Sequence, residues 1–173
     1  MTYLNGNEAE VLFSRLLKQH KSTFEKVDLS CFKEEDLVNL ALSSFPSKLR
    51  NFLEKNNFLL EDLYSFPTKE LLDLFFKVDF LIEVDLCGDK PQWISIDLTT
   101  NPEKIRGKVY ELNQNQKVLK TLGIDLSLVV YWTMETYSTQ NKELSYRLAT
   151  QLYEDIEKAW ERGKFSSSSI LAI

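Results

Sequence analysis

The chain is poor in the residues that staple small domains together: its 173 residues include two cysteines and one histidine. Cys31 and Cys87 stand far apart, with His20 as the sole imidazole, so neither a CxxC pair nor a His/Cys zinc spacing can be assembled. Five glycines and four prolines exclude collagen-like and low-complexity chains. No apolar run approaches the ~18 residues that a membrane span requires, and residues 1–10 show neither a basic nor an apolar leader pattern. A cytoplasmic protein with no membrane partner is expected, its thiols reduced and its cysteines small buried side chains. Twenty-one Lys and Arg against 26 Asp and Glu give a net charge of −5, which argues against a surface that wraps nucleic acid on all sides. A locally basic face is still compatible with that balance. Apolar residues at 43% and charged residues at 27% describe one ordinary domain with a sizeable core.

Helical and strand periods alternate along the chain. Ala9, Leu12, Phe13, Leu16 and Leu17 recur at three- and four-residue steps, which predicts a helix from Glu8 to about His20 with Asn5 or Asn7 as its cap. Residues 22–28 alternate weakly, as a short strand would. From Ser30 to Lys77 the pattern is helical and broken by Pro46 and Pro67, each placed to open a new helix. At Val78 the period becomes two: Val78, Phe80, Ile82, Val84 and Leu86 alternate with Asp79, Leu81, Glu83 and Asp85. Residues 87–91 form a turn cluster, and Ile94, Ile96 and Leu98 mark a second strand, so the pair predicts an antiparallel hairpin. Asn101-Pro102 opens a predicted helix that runs to Leu122. Leu126–Trp132 is apolar throughout, as a strand buried on both faces should be. A last helix is predicted from Gln140 to Arg162, with Leu144, Leu148, Leu152, Ile156 and Trp160 on one stripe. The domain is expected to span residues 1–165, with residues 30–77 as a helical insert within it and residues 166–173 as a mobile C-terminal tail.

Acids inside strands need a partner or a cation, because burying an unpaired carboxylate is costly. Asp79 begins the first hairpin strand and Asp97 lies near the end of the second, two ends that an antiparallel hairpin brings side by side. Two converging carboxylates make a hard oxygen site of the kind that holds magnesium together with substrate phosphate.

The order of helix, strand with Asp79, strand with Asp97, helix, strand and helix resembles the PD-(D/E)XK, or restriction-endonuclease-like, nuclease superfamily. Gly6, Ala9 and Glu10 of the first helix are similar to the opening of archaeal Holliday junction resolvases within it. The match covers residues 8–18 and 78–132. The resemblance implies an α/β, restriction-endonuclease-like fold, a mixed central sheet of about four strands flanked by helices. It implies a divalent-metal-dependent DNA endonuclease in which Glu10, Asp79 and Asp97 bind Mg2+ or Mn2+. The lysine position of the motif falls on Thr99, which supplies no cation, so Lys104 is assigned that role, with Arg106 and Lys108 as further choices.

Other readings stand beside these. Glu10 suits a solvated acid near a helix N-terminus, and Asp79 and Asp97 suit the polar face of a sheet open to water. Lys104, Arg106, Lys108, Lys117 and Lys120, with Asn113 to Gln116 between them, could contact the phosphates and sugars of DNA, branched or structured DNA included. A solvated amphipathic helix has the same pattern. The insert, through Phe52, Phe58 and Phe66, is expected to expose an apolar patch that meets a partner, a homodimer being one outcome. The alternative function is a non-catalytic nuclease-like protein that binds a protein or nucleic acid through this insert.

Overall fold

Five strands lie side by side in the order β1-β2-β3-β4-β5. The computed structural model describes residues 6–133 and 141–172. The chain divides into two compact units, one of residues 1–27 and 80–173, the other of residues 28–79.

The first unit begins with α1 (Gly6–Gln19), which buries Ala9, Phe13, Leu16 and Leu17. Asn5, a candidate cap, lies outside the described residues, and Asn7 sits inside the helix. The weak alternation over residues 22–28 becomes only the two-residue strand β1 (Glu25–Lys26). β2 (Phe80–Val84) and β3 (Gln92–Thr99) form the antiparallel hairpin, from Phe80 opposite Ile96 to Val84 opposite Gln92. Gln92 closes the turn, accepting from Leu86 N at 3.2 Å and donating to Lys90 O at 2.6 Å.

The single helix expected from Asn101 to Leu122 is instead a 3₁₀ turn (Pro102–Lys104), α5 (Ile105–Gln114) and α6 (Gln116–Thr121). The break falls at Asn115, whose φ of −93° and ψ of 8° leave the helical region, in a stretch with no apolar side chain to hold it down. β4 (Leu126–Trp132) follows, parallel to β3. The final helix α7 (Lys142–Glu161) is capped by Asn141, whose side chain accepts from Leu144 N. The expected start at Gln140 lies outside the described residues.

The expected tail is a strand: β5 (Ser166–Leu171) pairs parallel to β4 at the sheet edge. Serine runs carry no apolar signal, yet the two buried hydroxyls of this one, on Ser166 and Ser169, are satisfied. Ser169 Oγ donates to Asp155 at 2.6 Å, Ser166 Oγ donates to Val109 O at 3.2 Å, and Leu171 is fully buried. The sheet is therefore five-stranded and mixed, with helices on its faces.

Strand parity divides the side chains between two faces. Ile82, Val84, Ile94, Ile96, Leu128, Val130 and Trp132 join Phe13 and Leu16 of α1 and Leu148, Leu152 and Ile156 of α7 in one core. The opposite face carries α5, which packs over β4 and β5 and sends Lys108 to Asp97 of β3.

In the second unit, 3₁₀ turns at Leu29–Cys31 and Leu60–Ser65 accompany α2 (Glu34–Ser44), α3 (Pro46–Asn56) and α4 (Thr68–Phe76). Pro46 opens α3 as expected, whereas Pro67 stands one position before α4 as its cap. Leu37, Leu63, Leu71 and Leu72 are buried. Phe52 meets Phe58, Phe66 and Phe75 ring to ring, so the aromatics expected to await a partner largely cover one another. Phe58 is 38% exposed and Leu59 69%. Cys31 and Cys87, expected to be buried, are both exposed free thiols, because each falls in a turn rather than on an apolar stripe. Among the described residues no helix is long and apolar enough to cross a membrane.

Candidate functional site

β3 turns its polar parity toward the sheet face that carries α5. Ser95, Asp97 and Thr99 are all buried, Asp97 to 3% exposure. A carboxylate at that depth requires a cation, and the chain supplies one: Lys108 Nζ donates to Asp97 Oδ1 and lies 3.5 Å from Leu98 O. Asp97 Oδ2 is buried as well. The lysine reaches the acid because of its place on α5. It lies three residues after Ile105 and four before the buried Leu112, on the stripe that faces the sheet, with its stem packed and its ammonium at the edge.

The helix is seated by hydroxyls. Ser95, Ser127 and Ser166 stand in register on three neighbouring strands. Ser95 and Ser127 are hydrogen bonded at 2.6 Å, and Ser166 Oγ binds the carbonyl of Val109, the residue after Lys108. Side chains this small let the α5 backbone approach the sheet closely.

The other sequence-derived residues stand as follows. Thr99, at the lysine position of the resemblance, shapes the exit from β3. Its hydroxyl donates to Asn101 O at 3.3 Å and accepts from Asn101 N at 3.2 Å. Lys104 lies in the 3₁₀ turn, exposed, with no ion pair among the described residues; the lysine brought onto Asp97 is Lys108. Arg106 is exposed. Glu10 is half-buried in α1, and Asp79 is half-buried at the end of the helical unit. Among the described residues, which include all three acids, no group of three or more His, Cys, Asp or Glu side chains could hold a metal ion.

A second polar cluster escaped the sequence reading, since its members are remote in sequence. His20 Nε2 lies 2.8 Å from Ser145 Oγ, which donates to Gln19 Oε1 at 2.6 Å. The single hydroxyl hydrogen is committed to Gln19, so the imidazole Nε2–H donates to Ser145. Burial pushes the His20 pKa below its ordinary 6.5, and a hydrogen bond to the Ser145 backbone opposes that shift. The ring borders a cleft of about 490 Å³ shared with Glu25, Glu83, Asp85 and Tyr153.

Comparison with protein-family models, with curated proteins and with solved structures finds no match.

Proposed function

We propose that the chain is a divalent-metal-dependent DNA endonuclease of the restriction-endonuclease-like kind, with Asp97 and Lys108 at its reacting centre. The observation that carries this reading is the ion pair between them. An acid-and-lysine pair forms at the strand where the resemblance expects one, although Thr99 stands in the lysine position. The chain order of α1, three antiparallel strands, a helical segment of α5 and α6, and a strand parallel to the third supports it further.

Magnesium is held by one or two carboxylates, with phosphate oxygens and water completing its shell. Among the described residues no protein-built cage of three or more acids stands ready, so an ion here would rest on one or two carboxylates and on the substrate. Asp97 is the carboxylate on which the structure bears; Asp79 and Glu10 enter from the resemblance. When bound, the ion supplies Lewis-acid polarisation of the phosphodiester. Lys108 holds a positive charge beside the acid before substrate arrives, where negative charge develops during hydrolysis, and such a donor is worth roughly 10²–10³ in rate.

The test is cleavage of supercoiled plasmid and of branched DNA with magnesium or manganese. Wild type should cut, Asp97→Asn and Lys108→Ala should each lose about 10²–10³ in rate, and Lys104→Ala should retain it. Circular dichroism establishes that each variant is folded. The lack of a three-acid group favours a second reading, a nuclease-like protein that binds without cutting. Wild type that leaves both DNAs intact under all metals would replace the first reading by the second.

A further inference from the structure

At the opposite end of β3 from Asp97, the turn after α7 opens a cleft of about 260 Å³ lined by Gln116, Lys120, Asp125, Trp160, Lys164 and Phe165. Trp160 continues the stripe of Leu152 and Ile156, both fully buried, yet it is itself 38% exposed at the cleft. Gly163, with φ at +63°, reverses the chain there and is followed by Lys164 and the buried Phe165. Lys120 Nζ stands 5.8 Å from the Phe165 ring centroid, a cation–π arrangement that restrains the ammonium. Neither Lys120 nor Lys164 has an ion pair among the described residues. Asp125 Oδ2 accepts from Trp93 N at 2.9 Å, which fixes the carboxylate and leaves Oδ1 with no hydrogen bond among the described residues.

These groups form a set with a chemical meaning: an open aromatic face, two ammonium groups and one fixed acceptor. We propose that this cleft binds one nucleotide unit of an unpaired strand, its base stacked on Trp160, its phosphate between Lys120 and Lys164, and a base N–H donor on Asp125. Stacking on an aromatic ring beside positive charge is how single strands are held. A carboxylate acceptor selects bases that offer N–H donors. Guanine presents two on one edge, so guanine is favoured over thymine. The proposal rests on the nucleic-acid reading above and assigns that reading a place for a strand away from the reacting centre.

The experiment is fluorescence anisotropy of labelled single-stranded 15-mers, oligo(dT) and the same strand with a central guanine, across a salt series. Trp160→Leu should weaken binding by about 5- to 150-fold, and Trp160→Tyr should restore most of it. Lys120→Ala with Lys164→Ala should reduce the salt slope by about 0.7, one neutralised phosphate's worth. Asp125→Asn should abolish the guanine preference while its side-chain oxygen still accepts from Trp93 N. dGMP should compete only at far higher concentration than the strand; equal affinity would overturn the strand assignment in favour of a free nucleotide. Wild-type affinity in both the Trp160→Leu and the double lysine variant would overturn the site. All these variants keep Asp97 and Lys108. Plasmid cleavage with unaltered strand binding therefore removes this proposal alone, and altered strand binding without cleavage by wild type removes only the catalytic reading.

Discussion

Lys108 donates to Asp97 across the α5–β3 contact, with 25% of the lysine side chain exposed and 4% of the aspartate. The asymmetry matters: the cation retains water and the anion does not. Lys108→Met, which keeps the stem but leaves the acid buried beside no charge, should destabilise the fold by on the order of 3 kcal/mol. Asp97→Asn in that background should recover part of the loss. Urea unfolding of the four proteins measures the coupling, and strictly additive effects would show that the pair contributes nothing as a pair.

Ser95 and Ser127 are fully buried and bonded to one another. Each single alanine variant strands one hydroxyl in the sheet and should cost about 1–3 kcal/mol, whereas the double variant should cost less than the sum. A double variant that loses the full sum would mean that the hydroxyls bond elsewhere.

His20 is the only histidine, so its proton resonances report one site. Their midpoint should lie below 6.5, because burial disfavours the imidazolium. A folded pKa below the unfolded value means that the unfolded chain takes up the proton first. Stability is therefore intact above about pH 6.5 and falls as the pH drops toward the folded pKa. A midpoint at or above 6.5 in the wild type contradicts this.

Lys77 ends α4 with φ at +60°, in the left-handed region that favours glycine. Lys77→Gly should stabilise the chain by up to about 1 kcal/mol, read as a rise in thermal midpoint. A fall in the midpoint would show that the lysine side chain contributes more than its backbone strain costs.

Local periodicity made much of this architecture legible. The Leu126–Trp132 run is β4 to the residue, and the alternation from Val78 onward yields β2 with its ends trimmed. What stayed hidden depends on partners distant in sequence. The Ser166–Leu171 strand exists because β4 pairs with its backbone while α5 and α7 accept from Ser166 and Ser169, and nothing local to it carries that information. At the candidate site, proximity in sequence to Asp97 pointed to Lys104, whereas helix geometry brings Lys108. The signal was present: Lys108 shares a stripe with Ile105 and Leu112, where a lysine is out of place unless an acid waits beneath it. Trp160 shows the converse, since a perfect four-residue stripe ends on a ring that the sheet does not cover.

The chain leaves the sheet after β1 and returns at β2, and its points of departure and return touch: Val27 N donates to Leu81 O at 3.2 Å, one step beyond the Lys26–Ile82 pair. In topological terms, residues 28–79 are a cargo carried on a hairpin. Because the sheet already holds the two ends together, lengthening, shortening or exchanging that segment adds only a slowly growing loop-closure entropy. Changes of length in residues 28–79 therefore leave the strand that bears Asp97 undisturbed.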